Sequence, residues 1–358
     1  MVLAVRRGLQ SDVFKIFAYV AAVLALGALS APWLYQLGKG LGEVFAEKEG
    51  NWLIEALADA ARRSDFPRFF NRAVLLSAVV LLFPLLAWLR LGRSPGSYRD
   101  TPWSLRLPDH AVLTNLGQPL RRNSQGWLQF GTGFFIAAGL LLFSGWVMIQ
   151  SGCFVWRDSP VSARGVPNKF VETIDWLKAV RKALPTALVV SLIEEILFRG
   201  VLLGIFLRAM RPPLAIATLS FLFAFVHFME PPAGVVIPDP EASGAGFFLL
   251  GKIFGRFGDP MPMVSTFLVL SAVGVVLAYS RYRTASLWLP VGLHFGWVFG
   301  EKVFKACTWP VPGLPRELHW FVGETLKEGL LPLSVIAVTG FLVHAMTRER
   351  ETVADYRN

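Results

Sequence analysis

The sequence predicts an all-α, polytopic membrane protein with about eight transmembrane helices. Of its 358 residues, 54% are hydrophobic and only 17% are charged, and the mean hydropathy is +0.50. An ordinary soluble domain carries about 25% charged residues. Eight apolar stretches approach the roughly 20 residues that cross a bilayer. They are approximately 16–37, 73–90, 130–150, 184–207, 213–229, 262–280, 285–300 and 330–346, and the seventh is short and interrupted by Pro290.

The basic residues predict how the spans are oriented. They cluster before the first span, between spans four and five, between spans six and seven, and after the last span, at Arg6, Arg7, Lys15, Arg208, Arg211, Arg281, Arg283, Arg348 and Arg350. Positively charged loops stay in the cytoplasm, and eight spans put all four places on one side. We therefore expect both termini in the cytoplasm, with the bacterial inner membrane as the location, although the loops 38–72 and 151–183 are also basic.

The net charge of +10 comes from these short clusters between apolar stretches, so nucleic acid is not an expected partner. The two cysteines, Cys153 and Cys307, form no C-x-x-C motif, which argues against a structural zinc or iron–sulfur site. They follow spans three and seven, where either a disulfide or two inert thiols is consistent with the sequence.

Residues 231–261 predict a long irregular loop between spans five and six. Five prolines and several glycines fall within it. A long loop in a compact protein often has a function, for example as a lid.

One apolar stretch carries three ionisable residues. In SLIEEILFRG, Glu194, Glu195 and Arg199 lie inside the fourth predicted span. Such a side chain costs at least about 2.5 kcal/mol near the bilayer centre, so it faces the protein interior and usually marks function. On an α-helix, Glu195 and Arg199 are four residues apart on one face and form an ion pair. Glu194 points about 100° away, which predicts a second carboxylate outside that pair, available for chemistry.

Two later spans each carry a histidine among apolar residues. His227 follows Phe223 by one helical turn in FLFAFVHFME, and His294 lies in SLWLPVGLHFGWVFG. A single histidine of this kind is more often a hydrogen-bonded core residue than a catalyst. The protein has only five histidines, however, and these two lie in helices that can approach the helix of Glu194. Together the three residues predict a catalytic site.

A carboxylate with two imidazoles supports two chemistries. In the first, Glu194 is the general base for a water molecule, assisted by His227, and His294 donates a hydrogen bond to the developing oxyanion. In the second, the three side chains bind a divalent metal that activates the water. The H-E-x-x-H motif of the usual metalloprotease helix is absent from the sequence. We therefore expect no cofactor, and keep a divalent metal on Glu194, His227 and His294 as the alternative.

These motifs resemble those of the CPBP family, also called the Abi or CAAX-protease-and-bacteriocin-processing family, which includes the Ras-converting CAAX prenyl endopeptidase. Its members carry E-E-x-x-x-R, F-x-x-x-H and H-x-x-x-N (or Asp) on successive membrane helices. The first motif is EEILFR at 194–199, the second is FAFVH at 223–227, and the third begins at His294. The resemblance covers about residues 180–305 and implies a glutamate-dependent intramembrane endopeptidase.

The resemblance also implies a role for each matching residue. Glu194 would activate water with His227, Glu195 and Arg199 would shape the site, and His294 would help to bind the oxyanion.

The third motif departs from the family pattern at Val298, where the family has Asn or Asp. Valine cannot donate to an oxyanion, and the loss of one such donor typically lowers the rate by 10² to 10³. Three explanations stay open. The indole N–H of Trp297 replaces the donor, His294 acts alone, or the protein is a weak or non-proteolytic member.

The motifs divide the chain into three regions. Residues 1–150 are an N-terminal membrane region of three spans without a recognised motif, 180–305 hold the protease-like core, and 306–358 are an outer loop, the last span and a cytoplasmic tail. The expected function is hydrolysis of a peptide bond in a membrane-associated peptide or protein, with that substrate and the lipid bilayer as partners. The alternative is a catalytically weak or inactive member that acts as a membrane scaffold or immunity-type partner.

Overall fold

The structure is a computed structural model of the chain. It describes residues 11–46, 58–59, 61–89, 125–232, 234–258, 261–315, 318, 321–323 and 326–347. The chain forms two compact units, the first comprising Met1–Arg93 and Val226–Pro260 and the second comprising Ser94–Phe225 and Met261–Asn358.

Most of the described residues are helical. The principal helices, in chain order, are α1 (Asp12–Ala46), α2 (Phe66–Trp88), α3 (Gly126–Gln150), α4 (Trp176–Glu195), α5 (Leu203–Ala209), α6 (Pro212–His227), α7 (Ala245–Gly255), α8 (Met261–Thr284), α9 (Trp288–Cys307) and α10 (Leu330–Thr347). A π-helical segment, Ile196–Leu202, joins α4 to α5. Two short strands, β1 (Phe154–Trp156) and β2 (Thr308–Pro310), pair antiparallel. The predicted all-α fold class is confirmed.

Among the described residues, five helices are long and apolar enough to cross a membrane, namely α1, α2, α3, α8 and α10. The prediction of a polytopic membrane protein is therefore confirmed, but the count of eight spans is not. The other three predicted stretches coincide with α4–α5, α6 and α9. Helix α6 has only 16 residues, and the π-helical segment interrupts α4–α5. Helix α9 is buried along most of its length, and His294 and Glu301 are among its buried side chains.

In the second unit, α3 and α9 run parallel and pack closely because glycines remove side chains from their contact. A Cβ atom on Gly292 would clash with the carbonyl oxygen of Phe130, and one on Gly296 would lie 2.6 Å from that of Phe134. Gly292, Gly296 and Gly300 recur every four residues, which keeps them on one face of α9. Small residues at this spacing let membrane helices approach each other. They fix where α9, and therefore His294, stands.

The start of α9 corrects the expectation for the seventh span. Pro290 is the third residue of the helix, in the first turn, where its missing N–H leaves no hydrogen bond unmade. It therefore begins the helix rather than interrupting it. The backbone N–H of Trp288 donates to Ser286 Oγ at 3.2 Å, which caps the same turn.

The two-stranded sheet joins the ends of α3 and α9 and separates the two cysteines. Cys153 precedes β1, with its carbonyl bonded to Val311, and Cys307 precedes β2, with its carbonyl bonded to Arg157. The cysteines therefore lie at opposite ends of the strand pair, about 13 Å apart along it. A disulfide requires Cα atoms within about 7 Å. Both thiols are free and buried.

In the first unit, α7 occupies part of the predicted irregular loop. The helix covers 11 residues, and a 3-10 turn follows it at Arg256–Gly258. Gly246 of α7 contacts the carbonyl oxygen of Ala28 in α1, because it has no Cβ to keep the two backbones apart. The expectation that residues 231–261 are wholly irregular is thus wrong.

The glycine contact between α3 and α9 is tested by Gly296→Ala. The new methyl group has no space beside Phe134, so we expect a lower melting temperature in detergent, equivalent to about 1–3 kcal/mol of overpacking. Gly139→Ala is the matched control, since a Cβ there meets no atom within 4 Å. Equal melting temperatures for the two variants would contradict the close packing.

Candidate active site

Helix α4 and the π-helical segment carry the two glutamates and the arginine. Asp175 caps the start of α4, where its side chain accepts a hydrogen bond from the backbone N–H of Lys178 at 2.8 Å. The helix ends at Glu195, and the next seven residues, including Arg199, are π-helical. Short π-helical stretches inside α-helices are rare and frequently occur at functional sites.

The carboxylate of Glu195 is shared between two buried partners. Its Oε1 accepts a hydrogen bond from Arg199 Nη1 at 2.8 Å and lies 2.8 Å from His294 Nδ1. The side chains of Glu195 and Arg199 are fully buried. The predicted ion pair is therefore present, but it is not self-contained, since a histidine 99 residues further along the chain joins it.

Arg199 has two further contacts, on α8 and α6. Its Nη2 donates to the carbonyl oxygen of Gly274 at 3.2 Å, and its guanidinium lies 4.5 Å from the ring centre of Phe223. A Cβ on Gly274 would lie 2.9 Å from the Cα of Ser220, so this glycine also allows α8 to approach α6. Gly274 could not be predicted from the sequence, because a glycine in an apolar helix carries no local sign that its carbonyl binds an arginine.

The contact with Glu195 fixes the orientation of the His294 ring. A carboxylate only accepts, so His294 donates its Nδ1–H to Glu195. The other nitrogen, Nε2, lies 3.9 Å from Glu194 Oε2. That distance is too long for a direct hydrogen bond. Glu194 nevertheless lies next to His294, the same histidine that Glu195 bonds through Nδ1. The two glutamates therefore face opposite nitrogens of one imidazole ring.

Phe223, the first residue of the second motif, lies between Arg199 and His294. Its ring contacts His294 edge-on, with centroids 6.2 Å apart. His227 is the last residue of α6, one helical turn after Phe223, and is partly buried. The approach of His227 to Glu194 stays a prediction.

The position that the family fills with Asn or Asp is apolar here. Val298 follows His294 by one turn of α9 and is partly buried. Trp297 packs in the apolar cluster formed with residues of α3, α8 and α10. Its indole nitrogen is buried and has no hydrogen-bond partner among the described residues. It therefore retains an unused donor, but its part in binding an oxyanion stays a prediction.

The described part of the chain contains no group of three His, Cys, Asp or Glu side chains that could hold a metal ion. The set of Glu194, His227 and His294 stays an alternative that chelators can test.

Residues 176–300 match the family model of the type II CAAX prenyl endopeptidases described as Rce1-like. This stretch of the chain is similar to the Rce1-like domain. The match begins at the first residue of α4 and includes all three motifs, so the resemblance inferred from the motifs is confirmed. No curated protein and no solved structure matched the chain. The matched family is one of CAAX-type proteases.

Glu195→Gln tests the shared carboxylate. The substitution leaves the buried Arg199 cation without its charged partner, so we expect a loss of about 3–5 kcal/mol in the free energy of unfolding. The measurement is thermal unfolding of the purified protein in detergent. The same change one residue earlier, Glu194→Gln, is the control, because that side chain is 26% exposed. An equal shift for both variants would contradict the central place of Glu195.

Proposed function

We propose that this protein is an intramembrane endopeptidase that hydrolyses a peptide bond of a membrane-associated peptide or protein, with water activated by Glu194. One observation carries the proposal. In the stretch that is similar to the Rce1-like domain, Glu195 holds His294 by Nδ1, and the opposite nitrogen of the ring faces Glu194 at 3.9 Å.

The two adjacent glutamates then have separate tasks. Glu195 is fully buried and occupied by Arg199 and His294, so its task is to position the histidine. Glu194 is partly exposed and can reach a water molecule. A carboxylate that orients a histidine through Nδ1, leaving Nε2 for the reaction, is a recurrent arrangement in hydrolases.

The reaction proceeds by direct attack of water on the peptide carbonyl. Glu194 takes a proton from the water as its oxygen bonds to the carbonyl carbon, with His227 assisting. His294 donates Nε2–H to the oxyanion that forms. This role needs a ring that carries both protons, because Nδ1–H is already donated to Glu195. Glu194 then returns the proton to the amine as the C–N bond breaks, and no acyl-enzyme forms.

The proposed substrate class is broader than the description of the matched family. That family is described by its action on CAAX prenyl proteins. No motif of this chain is specific for a prenyl group, so we propose a membrane-associated peptide or protein as the substrate. We also propose the bacterial inner membrane with cytoplasmic termini. The basic residues Arg281 and Arg283 in the last turn of α8 support this orientation.

Val298 supports a second candidate function, a membrane scaffold or immunity-type partner that keeps the fold without the chemistry. The apolar side chain removes a donor that the family pattern has at this position. In that case Glu194→Gln would leave the biological function intact, while Arg199→Ala would destabilise the protein. An endopeptidase would lose its function with either change.

Glu194→Ala and His227→Ala test the endopeptidase directly. Each removes a group that moves the proton of water, so we expect cleavage of a membrane-delivered peptide to fall by about 10² to 10⁴. Ser191→Ala is the control on the same helix, since Ser191 Oγ donates to the Leu188 carbonyl and has no assigned chemical role. Full activity in both test variants would refute the assignment. A strong chelator separates the two chemistries, because only the metal alternative loses activity in its presence.

Val298→Asn tests the departure from the family pattern. An amide one turn after His294 adds a donor at the oxyanion, so we expect cleavage to accelerate, by up to about 100-fold. Val298→Ala is the control, because it changes the volume without adding a donor. Equal rates in the two variants would show that volume, and not hydrogen bonding, matters at this position.

A further inference from the structure

The first compact unit contains a cavity of about 650 Å³ between α1 and α2. This volume lies within the range of small-molecule sites, which are mostly apolar with a few placed polar groups. Among the described residues, every lining side chain is apolar except Arg72, so the lining follows that description. The main apolar contributors are Leu34, Leu41 and Phe45 from α1, and Phe69, Leu75 and Leu76 from α2.

Small residues form part of the cavity wall. Gly38 and Gly42 lie four residues apart on α1, so they share one face, and both line the space. Ala58 and Ala61 line it from the segment before α2. The Phe69 ring packs directly beside Gly38, and Arg62 and Ala58 pack beside Gly42, so these two glycines let α1 approach its neighbours closely at the wall of the cavity.

The cavity is bordered by exposed apolar side chains of two helices that can cross a membrane. Helices α1 and α2 are both long and apolar enough to cross a membrane. Three of the lining side chains are largely exposed, Leu75 by 64%, Leu76 by 54% and Leu41 by 46%. Exposed leucines on a membrane-spanning helix face acyl chains. The ligand that reaches this cavity most directly is therefore a lipid chain.

Arg72 differs from the other arginines of this region in lacking a carboxylate partner. Arg62 and Arg63 pair with Asp59, and Arg68 lies 3.8 Å from Asp65. Arg72 donates one hydrogen bond, to Ser64 Oγ at 3.1 Å, and its guanidinium lies 5.1 Å from the Phe69 ring centre. Within the described residues, no carboxylate lies within ion-pair distance of it.

The position of Arg72 makes an anionic partner favourable. It is the seventh residue of α2, about 9 Å along the helix from its start. The predicted span begins at residue 73, so Arg72 lies at its end, where an arginine extends to the membrane interface and attracts an anion. A guanidinium has five donors in a planar fork, and it binds phosphate oxygens in pairs.

We propose that this cavity binds an anionic phospholipid, with an acyl chain against the leucines and the phosphate on Arg72. Charge selects an anionic lipid over a zwitterionic one, because residues 58–72 hold four arginines against two aspartates. An acyl chain fills the apolar volume, which a free phosphate cannot do. The site lies in a part of the chain that the Rce1-like match does not cover.

Native mass spectrometry of the full-length protein tests the site. The protein is exchanged into micelles with equal amounts of phosphatidylglycerol and phosphatidylcholine of the same chain length. We expect phosphatidylglycerol to be retained preferentially, and Arg72→Gln to lower its retention by about fivefold, the effect of one basic residue near a membrane surface. Arg68→Gln is the matched control on the same helix, since Arg68 does not line the cavity. A second variant, Ala61→Phe, fills the cavity and should lower retention of both lipids.

Three results would overturn the proposal. Equal retention of the two lipids would show that the phosphatidylglycerol charge is not recognised. An equal loss in Arg68→Gln and Arg72→Gln would indicate surface charge instead of a site. Displacement of the lipid by millimolar inorganic phosphate alone would assign the site to the free anion. Melting temperatures identify any variant that fails to fold, and binding is measured without peptidase activity, so the outcome is independent of the proposed reaction.

Discussion

The buried carboxylate of Glu195 is the interaction on which the rest of the second unit depends. One oxygen atom bonds both Arg199 and His294, so a single negative charge offsets a guanidinium and orients an imidazole. Through Arg199 the same charge reaches the Gly274 carbonyl on α8 and the Phe223 ring on α6. Four parts of the chain therefore meet at one anion. Water cannot replace these contacts in a low-dielectric interior. The loss of one partner therefore weakens the whole set of contacts.

This arrangement explains why two adjacent glutamates do different things. Successive residues on a helix point about 100° apart, so only one of them can enter the buried cluster. Glu195 does so, and its burial commits it to positioning. Glu194 stays at the edge, partly exposed, beside the outer nitrogen of the histidine that its neighbour holds. The proposed reaction depends on these two environments. Glu194 must reach water as the general base, whereas Glu195 must stay buried to orient His294.

The protein accommodates two arginines beside apolar side chains in two different ways. Arg199 is fully buried and finds its anion, a carbonyl and an aromatic face within the protein. Arg72 lies on an exposed part of α2, next to Asn71, with only a serine hydroxyl as a hydrogen-bond partner among the described residues. A cation surrounded by apolar groups needs an anion as its partner. For Arg199 that anion is the side chain of Glu195. For Arg72 we infer that a lipid supplies the anion.

The sequence by itself determined the features that depend on near neighbours. Hydropathy predicted the membrane helices, helical spacing predicted the Glu195–Arg199 pair, and three short motifs predicted the family. The tertiary structure decided which distant residues meet. It placed His294 on Glu195, exposed the Gly274 carbonyl to Arg199, and held the two cysteines apart by strand register. Of the eight predicted spans, five correspond to described helices long enough to cross a membrane. Helix α7 occupies part of the segment 231–261 that was predicted to be an irregular loop. Periodicity describes one helix at a time, whereas these features depend on how closely helices approach. That approach is set by glycines such as Gly292 and Gly296, whose packing partners are not evident from their own neighbours in the sequence.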